Sequence, residues 1–213
     1  MAKRLTLTFD NGPEPEVTPQ VVAELGRRGL TATFFVVGRR LDDDTLPIVA
    51  DVVAAGHPVG NHTFSHPRPF GGLPGPDAVA EIVDTSALLG DLEAPERFFR
   101  PSAGGGVLAP GLLNDDAVAH LEAEGYSLVL WNAICEDWSR PDGSWIDVAL
   151  AEIERHDWTL LVLHDIAGGG MDHLPRFLDE VEARDIEVVA EMPPDLVPIV
   201  RGTPVGSVDD LVA

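Results

Sequence analysis

Cysteine is almost missing from this chain. Cys135 stands alone among 213 residues, so no disulfide can form within it. Such a residue is expected to behave as a small buried hydrophobe. Basic residues are also scarce: 14 Lys and Arg face 36 Asp and Glu, for a formal net charge of -22. That balance repels nucleic acid and anionic membrane surfaces, so neither is expected as a partner. No apolar run reaches the roughly 20 residues needed to span a bilayer. No internal repeat or low-complexity linker is present, which leaves one ordinary domain with one sizeable core. No signal-peptide pattern opens the chain either. Alternating apolar residues begin at Leu5, which reads as a strand. The chain as given therefore reads as cytoplasmic, although a piece trimmed from an exported protein would read the same.

What is present is a regular alternation of strand-like and helix-like segments. Strands are expected at 5–9, 32–37, 57–61, 98–99, 127–131, 159–163 and 186–190. Helices are expected at 18–28, 46–55, 77–90, 114–124, 146–155 and 174–184, several closed by a glycine such as Gly29, Gly56 or Gly125. Strand-then-helix units imply parallel pairing with helices outside. The expected fold is therefore α/β, an irregular (β/α) barrel of about seven parallel strands. Residues 1–192 would form the domain. Residues 193–213, with Pro193, Pro194, Pro198 and Pro204, would form an extension, most simply an ordered strap. Trp145 and Trp158 are assigned to packing.

The polar residues gather where such barrels place their chemistry, at the C-terminal ends of strands. Asp10, His62, Arg100, Asp137 and His164 each lie at or just after an expected strand end. His62 and His66 stand four apart, and one helical turn would put both rings on one face, a start to a divalent metal site. Gly60-Asn61 before them and Pro67 after them mark an irregular backbone. Asp10-Asn11-Gly12-Pro13 is turn chemistry that also brings a carboxylate out at a strand end. Leu161-Val162-Leu163-His164 ends an apolar strand on an imidazole, which would serve equally to cap the barrel.

Taken in order, these segments resemble the polysaccharide deacetylases (carbohydrate esterase family 4, the NodB homology domain). The likeness rests on Thr8 to Pro13, Ala32 to Val36 with Gly38, Gly56 to His66, Phe99-Arg100-Pro101, Asp137-Trp138 and Leu163-His164. It runs from about Leu5 to Glu191. The resemblance implies that Asp10 is the general base and that Asn11, His62 and His66 hold one divalent ion, zinc first, with cobalt or nickel as alternatives. It implies that Arg100 holds the base carboxylate, that Asp137 orients and charges His164, and that His164 protonates the leaving amine. Backbone N–H groups near Ala103 would hold the oxyanion, with Trp138 lining the substrate site.

The chain departs from the family's pattern in three places. Asn11 stands where aspartate is usual, so the metal site loses one negative charge. Ala103 stands where tyrosine is frequent, and Gly104-Gly105-Gly106 follows it. Ile134 and Cys135 replace polar residues before Asp137. The implied activity is hydrolysis of a C–N amide bond other than a peptide bond, foremost N-deacetylation of an acetylamino sugar or its oligomer. The alternatives are hydrolysis of a small cyclic amide or acylated metabolite, and a non-catalytic binding protein that keeps the fold. The partner is a small-molecule or oligosaccharide substrate; the oligomeric state is not legible.

Overall fold

The computed structural model describes residues 3–103 and 105–212. Its elements are β1 (Arg4–Asp10), α1 (Thr18–Arg28), β2 (Thr33–Val36), α2 (Leu46–Ala54), β3 (Val59–Asn61), α3 (Gly75–Leu89), β4 (Phe98–Phe99), α4 (Asp115–Ala123), β5 (Ser127–Leu128), β6 (Ala133–Ile134), α5 (Trp145–Arg155), β7 (Trp158–His164), α6 (Leu174–Ala183), β8 (Glu187–Val188), β9 (Ile199–Val200) and β10 (Thr203–Pro204). Local chemistry sets the helix ends. Gly29 closes α1 at φ 64, a left-handed conformation that glycine adopts at little cost. The Asn114 side chain caps α4 by accepting the Ala117 N–H.

The strand order is β10-β9-β5-β4-β3-β2-β1-β7-β6, with β8 added beside the start of β1. Pairing among β1 to β8 is parallel, whereas β9 joins β5 and β10 antiparallel. The sheet curls as a distorted barrel but does not close. β6 and β10 are its ends.

Side-chain alternation builds two cores. Leu5, Leu7 and Phe9 of β1, Phe34 and Val36 of β2, and Leu161 and Leu163 of β7 share one core with Leu25 of α1, Ile153 of α5 and Phe177 of α6. Each fully buried Leu or Phe contributes about 1.5–3 kcal/mol. Phe35, Leu160 and Val162, on the opposite face, join Ile82 of α3 and Leu121 of α4 in a second core. On β1 that same face carries Thr6, Thr8 and Asp10, because neighbours two apart point the same way. The period of two thus aims Asp10 away from the outer helices.

The structure corrects several expectations. Among the described residues eight strands run parallel, in keeping with the about seven expected; the added one is Ala133–Ile134, beside β7. The strand expected at 127–131 stops at Leu128, since the Leu130 N–H turns to the Leu196 carbonyl. The 193–212 segment supplies β9 and β10 to this same sheet, and Leu211 is buried in the second core. Cys135 is fully buried in the first core. Trp145 is fully buried and donates to the Gly170 carbonyl, while Trp158 donates to Thr6 and carries Arg4 on its ring face. Among the described residues no helix is long and apolar enough to cross a membrane.

Candidate active site

Asp10 is the last residue of β1 and lies in register with His164, the last residue of β7. Both therefore emerge side by side at the C-terminal edge of the sheet. His62 follows β3, Arg100 follows β4, and Asp137 opens a short turn shortly after β6. These residues and their neighbours border one cavity of about 350 Å³, lined by Asp10, Asn11, His62, His66, Trp138 and His164, with Ala103 on its wall. Gly105 and Gly106 also line it; Gly104 lies outside the described residues.

Asp10 is held from one side. Arg100 has no solvent exposure, and its Nη1 donates to Asp10 Oδ1 at 2.7 Å and to Thr8 Oγ1 at 2.8 Å. Thr8 in turn donates to the Leu161 carbonyl, so β1, β4 and β7 meet through one guanidinium. Burial raises the Asp10 pKa, but the charge of Arg100, then those of His62 and His164, outweigh it and hold the carboxyl below its ordinary range. Asp10 is thus an anion at neutral pH, with Oδ2 turned to His62 Nε2 at 3.6 Å.

His62 and His66 come together, but not by a helical turn. Residues 62–66 form a bend in which Thr63 has φ 67 and His66 φ 59. A β-branched residue in that region is strained by about 1–3 kcal/mol and must be held there. Asn61 does so: its Oδ1 accepts the Thr63 N–H at 2.9 Å and its Nδ2 donates to the Ile82 carbonyl of α3. The Glu81 carboxylate accepts from both the N–H and the hydroxyl of Ser65. The two rings end with centroids 5.0 Å apart at 72°.

The donor chemistry fits a divalent cation. His62 Nδ1 lies 2.8 Å from the Arg100 carbonyl, which only accepts, so Nδ1 carries the hydrogen and Nε2 offers its lone pair to the cavity. Burial depresses the pKa of both rings, His66 to about 3, with His62 and Arg68 adding to the effect there, so both are neutral ligands-in-waiting. Asn11, at φ 74, carries a buried Oδ1 that has no hydrogen-bond partner among the described residues. This buried amide oxygen borders the same cavity as the two imidazoles and is chemically suited to join them as a cation ligand. No cluster of three His, Cys, Asp or Glu side chains able to hold a metal occurs among the described residues, so the third protein donor would be this amide.

On the far side, Asp137 grips His164. Its Oδ1 is 3.0 Å from His164 Nδ1, and its Oδ2 accepts the His164 backbone N–H at 2.9 Å. Burial opposes a charge on His164, but the hydrogen bond and charge of Asp137, then the charges of Asp10 and Asp165, prevail and raise its pKa. Trp138 packs edge-on against the ring, with centroids 4.6 Å apart.

Three contributors were not legible as site residues. Thr8 and Asn61 lie within the motif segments without a local signal of their role, and Asp165 follows the His164 motif. Asp165 lies under the first loop, where a Cβ on Gly12 would come within 2.3 Å of its carboxylate. Its Oδ2 accepts from Thr18 at 2.5 Å, and burial pushes its pKa up to about 7. The carboxylate beside a glycine in a turn is the kind of signal that only the fold exposes.

Known proteins resemble this chain in sequence and in fold. The family model described as Polysaccharide deacetylase matches residues 1–129. The chain is similar to a chitooligosaccharide deacetylase from Sinorhizobium fredii, 31% identical and covering 77% of this chain and 73% of that protein. It is similar to a peptidoglycan-N-acetylglucosamine deacetylase from Bacillus cereus, 28% identical over 80% of this chain and 75% of that protein. Among solved structures, a peptidoglycan deacetylase from Bacillus subtilis superposes with a TM-score of 0.73 at 25% identity, over 88% of this chain and 87% of that one. The chain belongs to the polysaccharide deacetylase family.

Proposed function

We propose that this protein is a metal-dependent N-deacetylase of an acetylamino sugar or its oligomer. The observation that carries the reading is that one cavity is bordered both by an anionic carboxylate held by Arg100 and by an imidazole held by Asp137. That is the pair of groups an amide hydrolysis needs, one to take a proton and one to return it. The relatives named as deacetylases of chitooligosaccharide and of peptidoglycan support the acetylamino sugar as substrate class.

His62 Nε2, His66 and the Asn11 amide oxygen would hold the ion, and zinc, cobalt or nickel suits imidazole donors. Such an ion supplies Lewis-acid polarisation of the amide carbonyl and makes water more acidic. Asp10 accepts the proton of the attacking water through Oδ2, because Arg100 occupies Oδ1. His164, with Nδ1 tied to Asp137, presents Nε2 to the cavity and hands its proton to the amide nitrogen as the C–N bond breaks. The products are a carboxylic acid and a free amine. The Ala103 region contributes main-chain donors to the developing oxyanion, and Trp138 forms an apolar wall for the acyl group.

One observation favours a second reading, a binding protein that keeps the fold: Asn11 replaces a charged ligand by a neutral one. The two readings separate in one assay. Metal-loaded protein is incubated with N-acetylglucosamine oligomers and with peptidoglycan, and acetate and free amine are measured. Deacetylation releases both in equal amounts; the binding reading yields neither.

A further inference from the structure

We propose that Arg68 is a specificity residue that reads an anionic group, most simply a carboxylate, on the N-acyl substrate. The inference rests on the deacetylase reading and names the substrate class more narrowly. Arg68 borders the catalytic cavity and also a second groove of about 290 Å³ beside it. Ala103 borders both as well, so these two side chains form the saddle between the spaces. The rest of the second groove is apolar, with Pro69, Val107, Pro110 and Leu112 on its walls.

Arg28, Arg40, Arg97, Arg140, Arg155, Arg184 and Arg201 pair with a carboxylate, whereas Arg4, Arg39, Arg68 and Arg176 have no such pair among the described residues; of these four, Arg68 is the one that borders the catalytic cavity. Arg68 is exposed and has no carboxylate partner among the described residues. Its side-chain hydrogen bond runs from Nε to His66 Nδ1 at 3.4 Å, which leaves the two terminal nitrogens of the fork for a ligand. A guanidinium fork matches a carboxylate in two parallel hydrogen bonds. In the same cavity, the carboxylate of Asp10 is already neutralised by Arg100. The overall charge of -22 does not cancel the local field, because salt screens distant charges beyond about 8 Å at physiological ionic strength. An anionic substituent on the side of the scissile amide toward Ala103 would meet this cation, and an apolar portion beyond it would enter the second groove.

The test uses a matched pair: an N-acetylglucosamine oligomer and the same oligomer carboxymethylated on its primary hydroxyls. The ratio of kcat/KM for the charged over the neutral oligomer is measured for wild type, Arg68→Gln and Arg68→Lys. A non-hydrolysable pair, with methylsulfonyl in place of each acetyl group, is titrated by calorimetry into the same three proteins. Wild type should favour the charged oligomer by about tenfold in both measurements, a charge-assisted contact at a partly open site. Arg68→Gln should bring both ratios near one, mostly through KM and Kd, and Arg68→Lys should restore part of the preference. Equal ratios in wild type and Arg68→Gln would overturn the proposal. So would a change in zinc affinity in Arg68→Gln with the ratios unmoved, which would make Arg68 a positioning residue for His66. Absence of amine release from either oligomer overturns the deacetylase reading instead, and the calorimetric ratio then decides on Arg68 by itself.

Discussion

Asp137 holds His164 at two points at once, the ring Nδ1 at 3.0 Å and the backbone N–H at 2.9 Å. The double grip fixes the ring plane and raises its pKa. A general acid works while protonated, so the rate falls as pH rises through the His164 pKa, and a raised pKa moves that fall to higher pH. Asp137→Asn removes the charge and should shift the alkaline limb of the kcat profile toward acid. It should also lower kcat by about 10²-fold or more. An unmoved alkaline limb would detach Asp137 from the acid.

Arg100 has no exposure, and its partner Asp10 is nearly as buried. Removing one member of a buried pair strands the other charge. Arg100→Met should therefore destabilise the fold by about 3–5 kcal/mol in urea unfolding. It should also raise the pKa of Asp10, since the strongest influence holding it down is gone. A loss below about 1 kcal/mol, the size of an exposed ion pair, would mean that the pair carries little.

Asp165 acts on stability in the opposite sense from a paired carboxylate. Its pKa in the folded chain is about 7, against an ordinary value of 3.8. Between those values the folded state binds more protons than the unfolded state, so stability falls as pH rises. The loss is on the order of 4 kcal/mol once Asp165 is ionised above pH 7. Asp165→Asn mimics the protonated form and should flatten that slope. Urea midpoints at pH 5 and pH 8 check it: the gap between them should shrink in the variant. A gap as wide as in wild type would show that Asp165 is not the group responsible.

The chain's pattern revealed much of this in advance, and its limits have physical reasons. The helix from Thr18 to Arg28 was legible to the residue, because a proline opens it and Gly29 closes it. Strand β7 was legible because its apolar run is long. Strand β6 was not, since two residues carry no period and its pairing with Leu161 and Val162 is purely tertiary. The His62–His66 spacing foretold proximity of the rings but suggested a helical turn. The backbone instead reaches the same proximity through two left-handed residues, Thr63 and His66, held by contacts from Asn61, Glu81 and the Gly38 and Arg39 N–H groups. Arg68 was invisible because nothing in its local sequence tells which cavity it borders.

Asn11 already occupies the left-handed region at φ 74, which aspartate also tolerates. Asn11→Asp should therefore leave the backbone unchanged and add a negative charge beside His62 and His66. Zinc affinity should rise, because a carboxylate is a stronger partner for a cation than an amide. Zinc titration against a competing chelator measures it. Affinity no higher than wild type would mean that position 11 does not face the ion.

The central claim is that Asp10 takes the proton in an amide hydrolysis, and one measurement addresses it directly. Amine release from N-acetylglucosamine oligomers is followed for wild type and Asp10→Asn, both loaded with zinc and checked for metal content. Wild type should release amine, and the variant should be slower by about 10²–10⁴-fold at equal metal content. No release by wild type, or a variant within twofold of it, would contradict the account.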